Sequence, residues 1–368
     1  MSNGRASQFP SVSPLAFLRA LGARYATELG LLVALAVLCL FFSLRYPSNF
    51  PTSNNIQNMT QVGGILLVVA LGQMCAILIG GFDLSVAANM GFVGVVAGLG
   101  MTEHGGLGTG IVLGLAAGAS IGLVNGIFIG GIGLNPFIVT LGTLTFARGL
   151  GNELSHGAPI FGFPDNVEFL GQTPWGPIPS PLAIGVIVLV VMMVFFARLR
   201  AGLYIYAIGG DRDTCRAAGV PTARFEILAY TLCGLLAGIA GLMELSRVSI
   251  GYVTNGQGYD LLSIAAVVVG GVMIGGGKGS LSGVVLGVAV LTVLSTGLNI
   301  AGMNEFYQRM VTGAVIVIAV LVSQAGSAKW RQSLTVMIQA ARKRGARGGG
   351  RSRYKGSRLV HPQQEGMR

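Results

Sequence analysis

The stretch TGIVLGLAAGASIGLVNGIFIGG, Thr109–Gly131, contains no charged residue and is long enough for a helix to cross a membrane. Its glycines recur at every fourth residue: Gly110, Gly114, Gly118, Gly122, Gly126 and Gly130. This spacing places successive glycines on nearly one face of a helix. Such a stripe lets another helix approach closely in lipid. The stretch therefore predicts a membrane-spanning helix that packs against a second helix.

The composition of the whole chain indicates the class of protein. Of its 368 residues, 52% are hydrophobic and 10% are charged, whereas soluble domains carry about 25% charged residues. The 59 glycines follow no three-residue period, which excludes a collagen, and the apolar content excludes a disordered chain. Since an ordinary soluble enzyme is also excluded, the sequence predicts an all-α polytopic membrane protein with about ten transmembrane helices.

Ten apolar segments can be marked, and the fifth and the eighth are short for a full crossing. Irregular backbone at membrane depth survives only inside protein or beside a watery cavity, so the short segments indicate broken or half-length helices near a pathway. The segments are Leu29–Leu44, Val62–Ile79, Leu84–Gly100, Thr109–Gly131, Phe137–Leu150, Pro181–Ala197, Ile227–Leu245, Leu261–Ile274, Leu281–Ile300 and Met310–Ser323.

The basic residues predict the orientation of the chain. Lys and Arg number 24 against 13 Asp and Glu, and membrane proteins gather Lys and Arg in cytoplasmic loops. With ten spans and both termini in the cytoplasm, all but four of the 24 fall on the cytoplasmic side. The exceptions are Arg45, Arg148, Arg247 and Arg309. We therefore expect both termini in the cytoplasm, in preference to a basic tail that binds nucleic acid.

The same pattern divides the chain into three parts. Residues 1–27 are expected to form a cytoplasmic N-terminal segment, and residues 28–325 a transmembrane domain with a hydrophilic cytoplasmic loop near residues 198–224. Residues 326–368 form a basic tail, rich in Gly and Arg, that is predicted to be partly disordered. The charge of the tail suits anionic membrane lipid, and no nucleic-acid partner is predicted.

The sequence offers no means of catalysis. The glycine-rich stretch around Lys278 differs from a phosphate-binding loop, because Gly279 follows the lysine and Val272 stands where the first glycine is needed. The three histidines lie outside the spans and build neither a metal nor a nucleophile site. We predict no catalytic residue, cofactor or metal. Because charged groups are nearly absent from the spans, the energy source is expected outside this chain.

Polar residues near helix breaks are the candidates for a solute pathway. Gly80–Ser85 separates two apolar segments, and Asp83 either caps the next helix or faces the solute. Pro136 after Asn135 is typical of a helix N-terminus. Polar groups inside apolar segments, such as Asn125, either make interhelical hydrogen bonds or line the path. The residues predicted to line or gate the path are Asp83, Asn89, Asn135, Thr140 and Thr143.

A hydrophilic stretch, Ala207–Thr222, lies in the middle of the chain. Its Asp and Arg residues, with Ala217 and Ala218, predict a short cytoplasmic helix that ends at Gly219. A charged helix that projects from the membrane face offers a surface to which a soluble motor protein can bind.

Five motifs, taken in order, resemble those of a known family, the permease subunits of ribose-type bacterial ABC sugar importers. The resemblance covers about Asn54 to Val322. The sequence departs from the family pattern at two places. Phe82 replaces the usual aliphatic residue, and Leu262–Ser263 stands where an acidic residue and Ala are common. The motifs are GGFDLSV at Gly80–Val86, NPFIVTLGTLTFARGL at Asn135–Leu150, IYAIGGDRDTCRAAGV at Ile205–Val220, GYDLLSIAAVVVGG at Gly258–Gly271 and GGGKGSLSG at Gly275–Gly283.

The resemblance implies a transport subunit of the bacterial inner membrane that moves a small polar solute, with a monosaccharide as the first expectation. It implies a dimer with a second permease copy or homologue, cytoplasmic ABC ATPase subunits that supply the energy, and a periplasmic solute-binding protein. It also implies a coupling helix that rests on the ATPase, formed by Gly210, Asp211, Arg216, Ala217, Ala218 and Gly219. The alternative is an ion-coupled secondary transporter of a small polar solute, with its ion at the breaks near Asp83 and Gly275.

Overall fold

The protein is seen here as a computed structural model that describes residues 26–103 and 105–325. Most of the predicted N-terminal segment and the whole basic tail, residues 326–368, lie outside the described residues. The described residues up to Val320 belong to one compact unit, and the described residues 321–325 belong to a second. The α-helices of the described residues are α1 Ala26–Arg45, α2 Ser53–Leu78, α3 Val86–Glu103, α4 Leu107–Gly126, α5 Pro136–Leu154, α6 Ser180–Arg198, α7 Arg200–Gly210, α8 Arg212–Ala217, α9 Thr222–Val248, α10 Tyr259–Val269, α11 Leu281–Ile300 and α12 Glu305–Ala325.

The remaining regular structure is small. A π-helical turn, Ile127–Gly131, continues α4. Between α5 and α6, a 3₁₀ helix at Asp165–Leu170 precedes a two-stranded hairpin, β1 Pro174–Trp175 and β2 Ile178–Pro179. Its strands pair antiparallel, with Trp175 opposite Ile178.

Seven of the described helices are long and apolar enough to cross a membrane: α1, α2, α3, α4 with its π-helical turn, α6, α9 and α11. Two shorter apolar helices are α10 and the Phe306–Ile318 part of α12. Each of the ten predicted segments contains one helix, which confirms the all-α polytopic class.

The fifth segment is not short, and that prediction is wrong. Helix α5 has 19 residues. Asn152 and Glu153 end the apolar run, but the helix continues through them to Leu154. The eighth segment is half-length as predicted, since α10 has 11 residues.

Contacts between loops separate the helix ends into two faces. At the first, which we call the inner face, the Gly277 N–H donates to Leu78 O (2.9 Å) and the Ser280 hydroxyl donates to Glu28 Oε1 (2.8 Å). At the second, the outer face, Ile160 and Gly251 form a backbone bridge. Helix α9 joins the two faces with 27 residues, a length of about 40 Å. The charge pattern predicts that the inner face is cytoplasmic.

The predicted glycine stripe packs α4 against α9. A Cβ added at Gly118 would lie 2.8 Å from Gly238 Cα, and one at Gly126 would lie 2.7 Å from Ile227 Cα. Any larger residue at these positions would collide with backbone, so glycine sets the distance between the two helices. The prediction that this stripe serves helix packing is confirmed.

The outside of the bundle is apolar, as membrane contact requires. Only 11% of the apolar stretch of α1 is buried inside the bundle, whereas 83% of the apolar stretch of α2 is buried. Large apolar side chains such as Leu29, Val33 and Val190 are exposed. In lipid such exposure costs nothing, and α2 therefore forms the centre of the bundle.

Candidate functional site

The break between α2 and α3 is organised by the Asp83 carboxylate, which is 1% exposed. The Ser85 hydroxyl and the Ser85 N–H both donate to Asp83 Oδ1, at 2.5 and 2.8 Å. Asp83 thus closes a turn with Ser85 just before α3 begins at Val86. Its two predicted roles, helix cap and solute contact, stay predictions. In the amide orientation that satisfies both groups, Gln73 of α2 accepts from the Asp83 N–H and donates to Asp83 O, both at 3.1 Å.

Asn125 of α4 connects this break to α5. Its Nδ2 donates to Ser85 Oγ (2.9 Å) and to Asp83 Oδ2 (3.3 Å). The Thr143 hydroxyl of α5 donates to Asn125 Oδ1 (2.7 Å). A single polar network therefore joins α2, α4 and α5, and the interhelical alternative predicted for Asn125 and Thr143 is confirmed. Polar networks that are satisfied in this way fix the relative positions of helices.

The other three predicted pathway residues lie apart from this network. Asn89 of α3 donates to Gly118 O (3.1 Å) and Gly234 O (3.2 Å), so it ties α3 to the α4–α9 contact. Thr140 is buried and its hydroxyl donates to Pro136 O of its own helix. Asn135 is exposed and caps α5, where it accepts from the Phe137 N–H (2.9 Å).

The predicted short helix on the inner face is present as α8, and it has no buried residue. Asp211 caps it by accepting from the Thr214 N–H (3.0 Å) and the Thr214 hydroxyl (2.7 Å). These hydrogen bonds lower the pKa of Asp211. The helix ends where the Val220 N–H donates to Cys215 O with Gly219 at φ +81°, a left-handed conformation that glycine adopts without strain.

One ion pair anchors α8 to the transmembrane helices, and the sequence interpretation missed it. Arg212 Nε lies 2.6 Å from Glu226 Oε1, and Arg212 Nη2 donates to Glu226 Oε2 at 2.8 Å. Glu226 is buried in the first turns of α9. The seventh apolar segment was placed from Ile227 onward, one residue too late to include this acid. A lone carboxylate at the start of an apolar helix was the available signal.

Helix α7 connects α8 to two helix breaks. A Cβ at Gly209 would collide with Leu78 O at the end of α2, and it would lie 2.5 Å from Gly277 N. The Tyr206 hydroxyl donates to Gly279 O (3.1 Å). Helix α7 therefore links α8 to the end of α2 and to the 270–280 loop through close contacts. Gly210, a predicted coupling residue, is the last residue of α7.

No group of three or more His, Cys, Asp or Glu that could hold a metal ion occurs in residues 26–103 and 105–325.

Several apolar helices long enough to cross a membrane, with a half-length helix and polar networks between them, are typical of membrane transporters, and this is the class of protein that the fold defines. Within that class, the chain belongs to the family described as branched-chain amino acid transport system / permease component, whose model matches residues 55–320. It is a multi-pass permease subunit, a transport component of an ABC importer, and the ribose-type resemblance seen in the sequence is confirmed.

Three relatives illustrate the similarity. The chain is 37% identical over 317 residues to the ribose import permease protein RbsC of Escherichia coli strain K12, with 82% of this chain and 96% of the relative covered. It is 35% identical over 295 residues to the L-arabinose transport system permease protein AraH of the same strain, covering 80% and 89%. It is 30% identical over 293 residues to the D-allose transport system permease protein AlsC, again of that strain, covering 79% and 90%. No solved structure matches the chain.

Proposed function

We propose that the protein is the permease subunit of an ATP-driven importer of a monosaccharide in the bacterial inner membrane. The observation that carries this proposal is the similarity, over most of the chain, to permeases named for ribose, L-arabinose and D-allose. The family description names branched-chain amino acids, so an amino acid is the solute to be tested against the sugars. Which monosaccharide is carried is a question for direct assay.

The importer is completed by partners outside this chain. In the proposed assembly, two permease copies, or this chain and a homologue, form the transmembrane part. ABC ATPase subunits bind the inner face and a periplasmic solute-binding protein binds the outer face. The absence of a phosphate-binding loop from the sequence supports a separate ATPase. Residues 326–368 are proposed to lie in the cytoplasm, where their basic charge favours contact with anionic lipid.

Helix α8 is proposed as the coupling helix. It has no fully buried residue, and apart from Arg212, which pairs with Glu226, and the half-buried Cys215, its side chains are exposed and can enter a groove of an ATPase subunit. Arg216, Ala217, Ala218 and Gly219 would contact the ATPase, while Asp211 caps the helix and Gly210 joins it to α7. Closure of the ATPases would then move α8 as a rigid body. The ion pair to α9 and the Gly209 contact would pass this movement to the helix breaks.

Helix α5 is proposed to line the solute path between the two permease copies. It is long enough to span a membrane but less apolar than the seven spanning helices, and its Asn135 and Thr145 are exposed. Thr143 is half-buried and holds α5 in register with α4. Asp83, Asn89 and Thr140 are assigned the role of gating from within, because each is buried and hydrogen-bonded.

Purification from native membranes in mild detergent, followed by uptake, tests the proposal. We expect an ATPase subunit to co-purify. Cells should take up one of labelled D-ribose, L-arabinose and D-allose, and this uptake should stop when the ATPase gene is deleted. Labelled L-leucine is the control for the amino-acid alternative. Uptake that persists without the ATPase but is abolished by a protonophore would instead indicate an ion-coupled carrier.

A further inference from the structure

A cavity of about 350 Å³ with several polar side chains in its lining lies between helices α5, α10, α11 and α12, near the outer face. We call it the outer cavity. Charged and amide side chains are scarce elsewhere in the bundle. Their convergence here, from four helices, indicates that they serve a purpose other than packing. The polar side chains that line it are Arg148, Gln257, Asp260, Ser295, Gln308, Arg309 and Thr312.

Several of these polar groups have no partner in the protein. Within the described parts of the chain, the side chains of Arg148, Gln257, Asp260 and Ser295 make no hydrogen bond or ion pair. Arg148 and Asp260 are each half-buried. Partly burying a charge without a partner costs free energy, and native proteins rarely leave such groups unsatisfied. The Asp83 network differs, because Asp83, Ser85 and Asn125 satisfy one another.

The chemistry of the lining suits a neutral molecule with several hydroxyl groups. Arg148 and Gln257 supply N–H donors, while Asp260 and Ser295 supply oxygen acceptors. The charges of Arg148 and Asp260 offset each other, and the second guanidinium, Arg309, already has an interaction of its own. Each hydroxyl of a sugar both donates and accepts, so it can use the donors and the acceptors of this lining. Leu261 and Leu262 add apolar surface for the C–H face of a ring. The volume is near the lower end of the usual range for ligand pockets, about 300–1,000 Å³, which suits a single sugar ring.

We propose that the outer cavity binds a monosaccharide at the outer face, with Arg148 and Asp260 as its main hydrogen-bonding partners. The inference rests on the proposed function and adds to it the place where the solute is held before it passes between the helices. Because the cavity stays open to water, binding there is weak, as transport requires of a solute that must leave again.

Protection of an introduced cysteine tests the site directly. The half-buried Cys39 and Cys215 are changed to Ser, Ser295→Cys is introduced, and the complete transporter is placed in lipid nanodiscs without binding protein. We expect millimolar amounts of the transported sugar, among D-ribose, L-arabinose and D-allose, to slow alkylation of the new cysteine by N-ethylmaleimide several-fold. Ser282→Cys, exposed on the inner face, is the matched control and should be unaffected.

Two substitutions then test the named partners. Arg148→Gln and Asp260→Asn should each abolish the protection and lower sugar uptake about tenfold or more, the effect of losing a hydrogen bond to a charged group. Stimulation of the ATPase by loaded binding protein should remain. Loss of that stimulation with the sugar protection intact would overturn the inference, because the cavity would then be a docking surface for the binding protein.

Different results would contradict the proposed function and the sugar site in the outer cavity. A wild-type transporter that imports none of the three sugars contradicts the proposed function. A transporter that imports one of them, while that sugar gives Ser295→Cys no protection, contradicts the outer cavity alone. Protection that survives in both Arg148→Gln and Asp260→Asn would show that these residues are not the partners.

Discussion

Replacing Arg212 by Ala tests how firmly α8 is held to the transmembrane helices. Arg212 contacts both carboxylate oxygens of Glu226, at 2.6 and 2.8 Å, and the Glu226 side chain is 7% exposed. Removing one partner of a fully buried ion pair costs about 3–5 kcal/mol, because the remaining charge is left uncompensated. The Arg212 side chain is 42% exposed, so water screens part of that charge. We therefore expect Arg212→Ala to lower the free energy of unfolding by about 1–3 kcal/mol.

The reverse change is expected to cost less. Glu226→Gln leaves an amide oxygen that still accepts a hydrogen bond, and the freed guanidinium can turn toward water, so the loss is about 0.5–1.5 kcal/mol. The double variant, Arg212→Ala with Glu226→Gln, contains no buried charge and should be more stable than Arg212→Ala alone. Reversible unfolding of the purified full chain in SDS gives the four free energies of this double-mutant cycle. Arg224→Ala is the matched control, because Arg224 is exposed nearby and makes no ion pair with the described residues.

The coupling energy between Arg212 and Glu226 decides whether this ion pair anchors α8. A coupling energy of about 1 kcal/mol or more supports the ion pair as the anchor of α8. Losses that add within about 0.3–0.5 kcal/mol, or an Arg212→Ala variant as stable as Arg224→Ala, would show that the pair does not hold α8 to α9.

If α8 also transmits movement, Arg212→Ala should lower solute uptake per ATP hydrolysed in the assembled importer. The exchanged pair, Arg212→Glu with Glu226→Arg, should restore part of it.

Three further predictions use the same SDS unfolding assay or hydrogen exchange. Gly118→Ala should destabilise the protein by about 1–3 kcal/mol through its clash with Gly238, while Gly94→Ala, with nothing within 4 Å of the new Cβ, should not; equal effects would contradict the packing argument. Thr143→Val should cost about 0.6–1.7 kcal/mol, the range for interhelical hydrogen bonds in membranes, whereas Thr145→Val, whose hydroxyl bonds only its own helix, should cost less. Asp211→Ala should speed hydrogen exchange in α8 and Asp211→Ser should not. Because the pKa of Asp211 is lowered, its charged cap is present at neutral pH and is lost only as the pH falls through that lowered value.

Apolar run length and glycine spacing were sufficient to predict most of the fold. The run Thr109–Gly131 became α4 with its π-helical turn, and its glycines contact α9 as the spacing indicated. Helix α7 was missed because its sequence, RAGLYIYAIGG, is short and amphipathic, and it packs through Gly209 against residues far away in the chain. Composition cannot show such a contact.

The site was predicted less completely than the fold, for a related reason. Asp83 and Thr143 are candidates because of their polarity and position, but the sequence does not show that both hydrogen-bond to Asn125. The outer cavity was not predicted, because Arg148, Asp260 and Ser295 come from three separate segments and only tertiary packing brings them together. From the sequence alone, a charged residue near the end of a span, such as Arg148, is interpreted as a signal for membrane orientation, because its neighbours in space are unknown.

The Asp83 network and the Arg212–Glu226 pair differ from the outer cavity in how their polar groups are satisfied, and this difference fits the way an importer works. At the inner face and in the helix break, Asp83, Glu226 and Asn125 all have partners within the chain. Satisfied polar groups make these parts stiff, so force applied at α8 moves helices and is not absorbed by side-chain rearrangement. At the outer cavity, Arg148 and Asp260 have no side-chain partner among the described residues, so in our proposal their hydrogen-bonding capacity remains for a solute. A chain that paired the outer groups as well would transmit movement equally well but would have nothing left to hold its cargo.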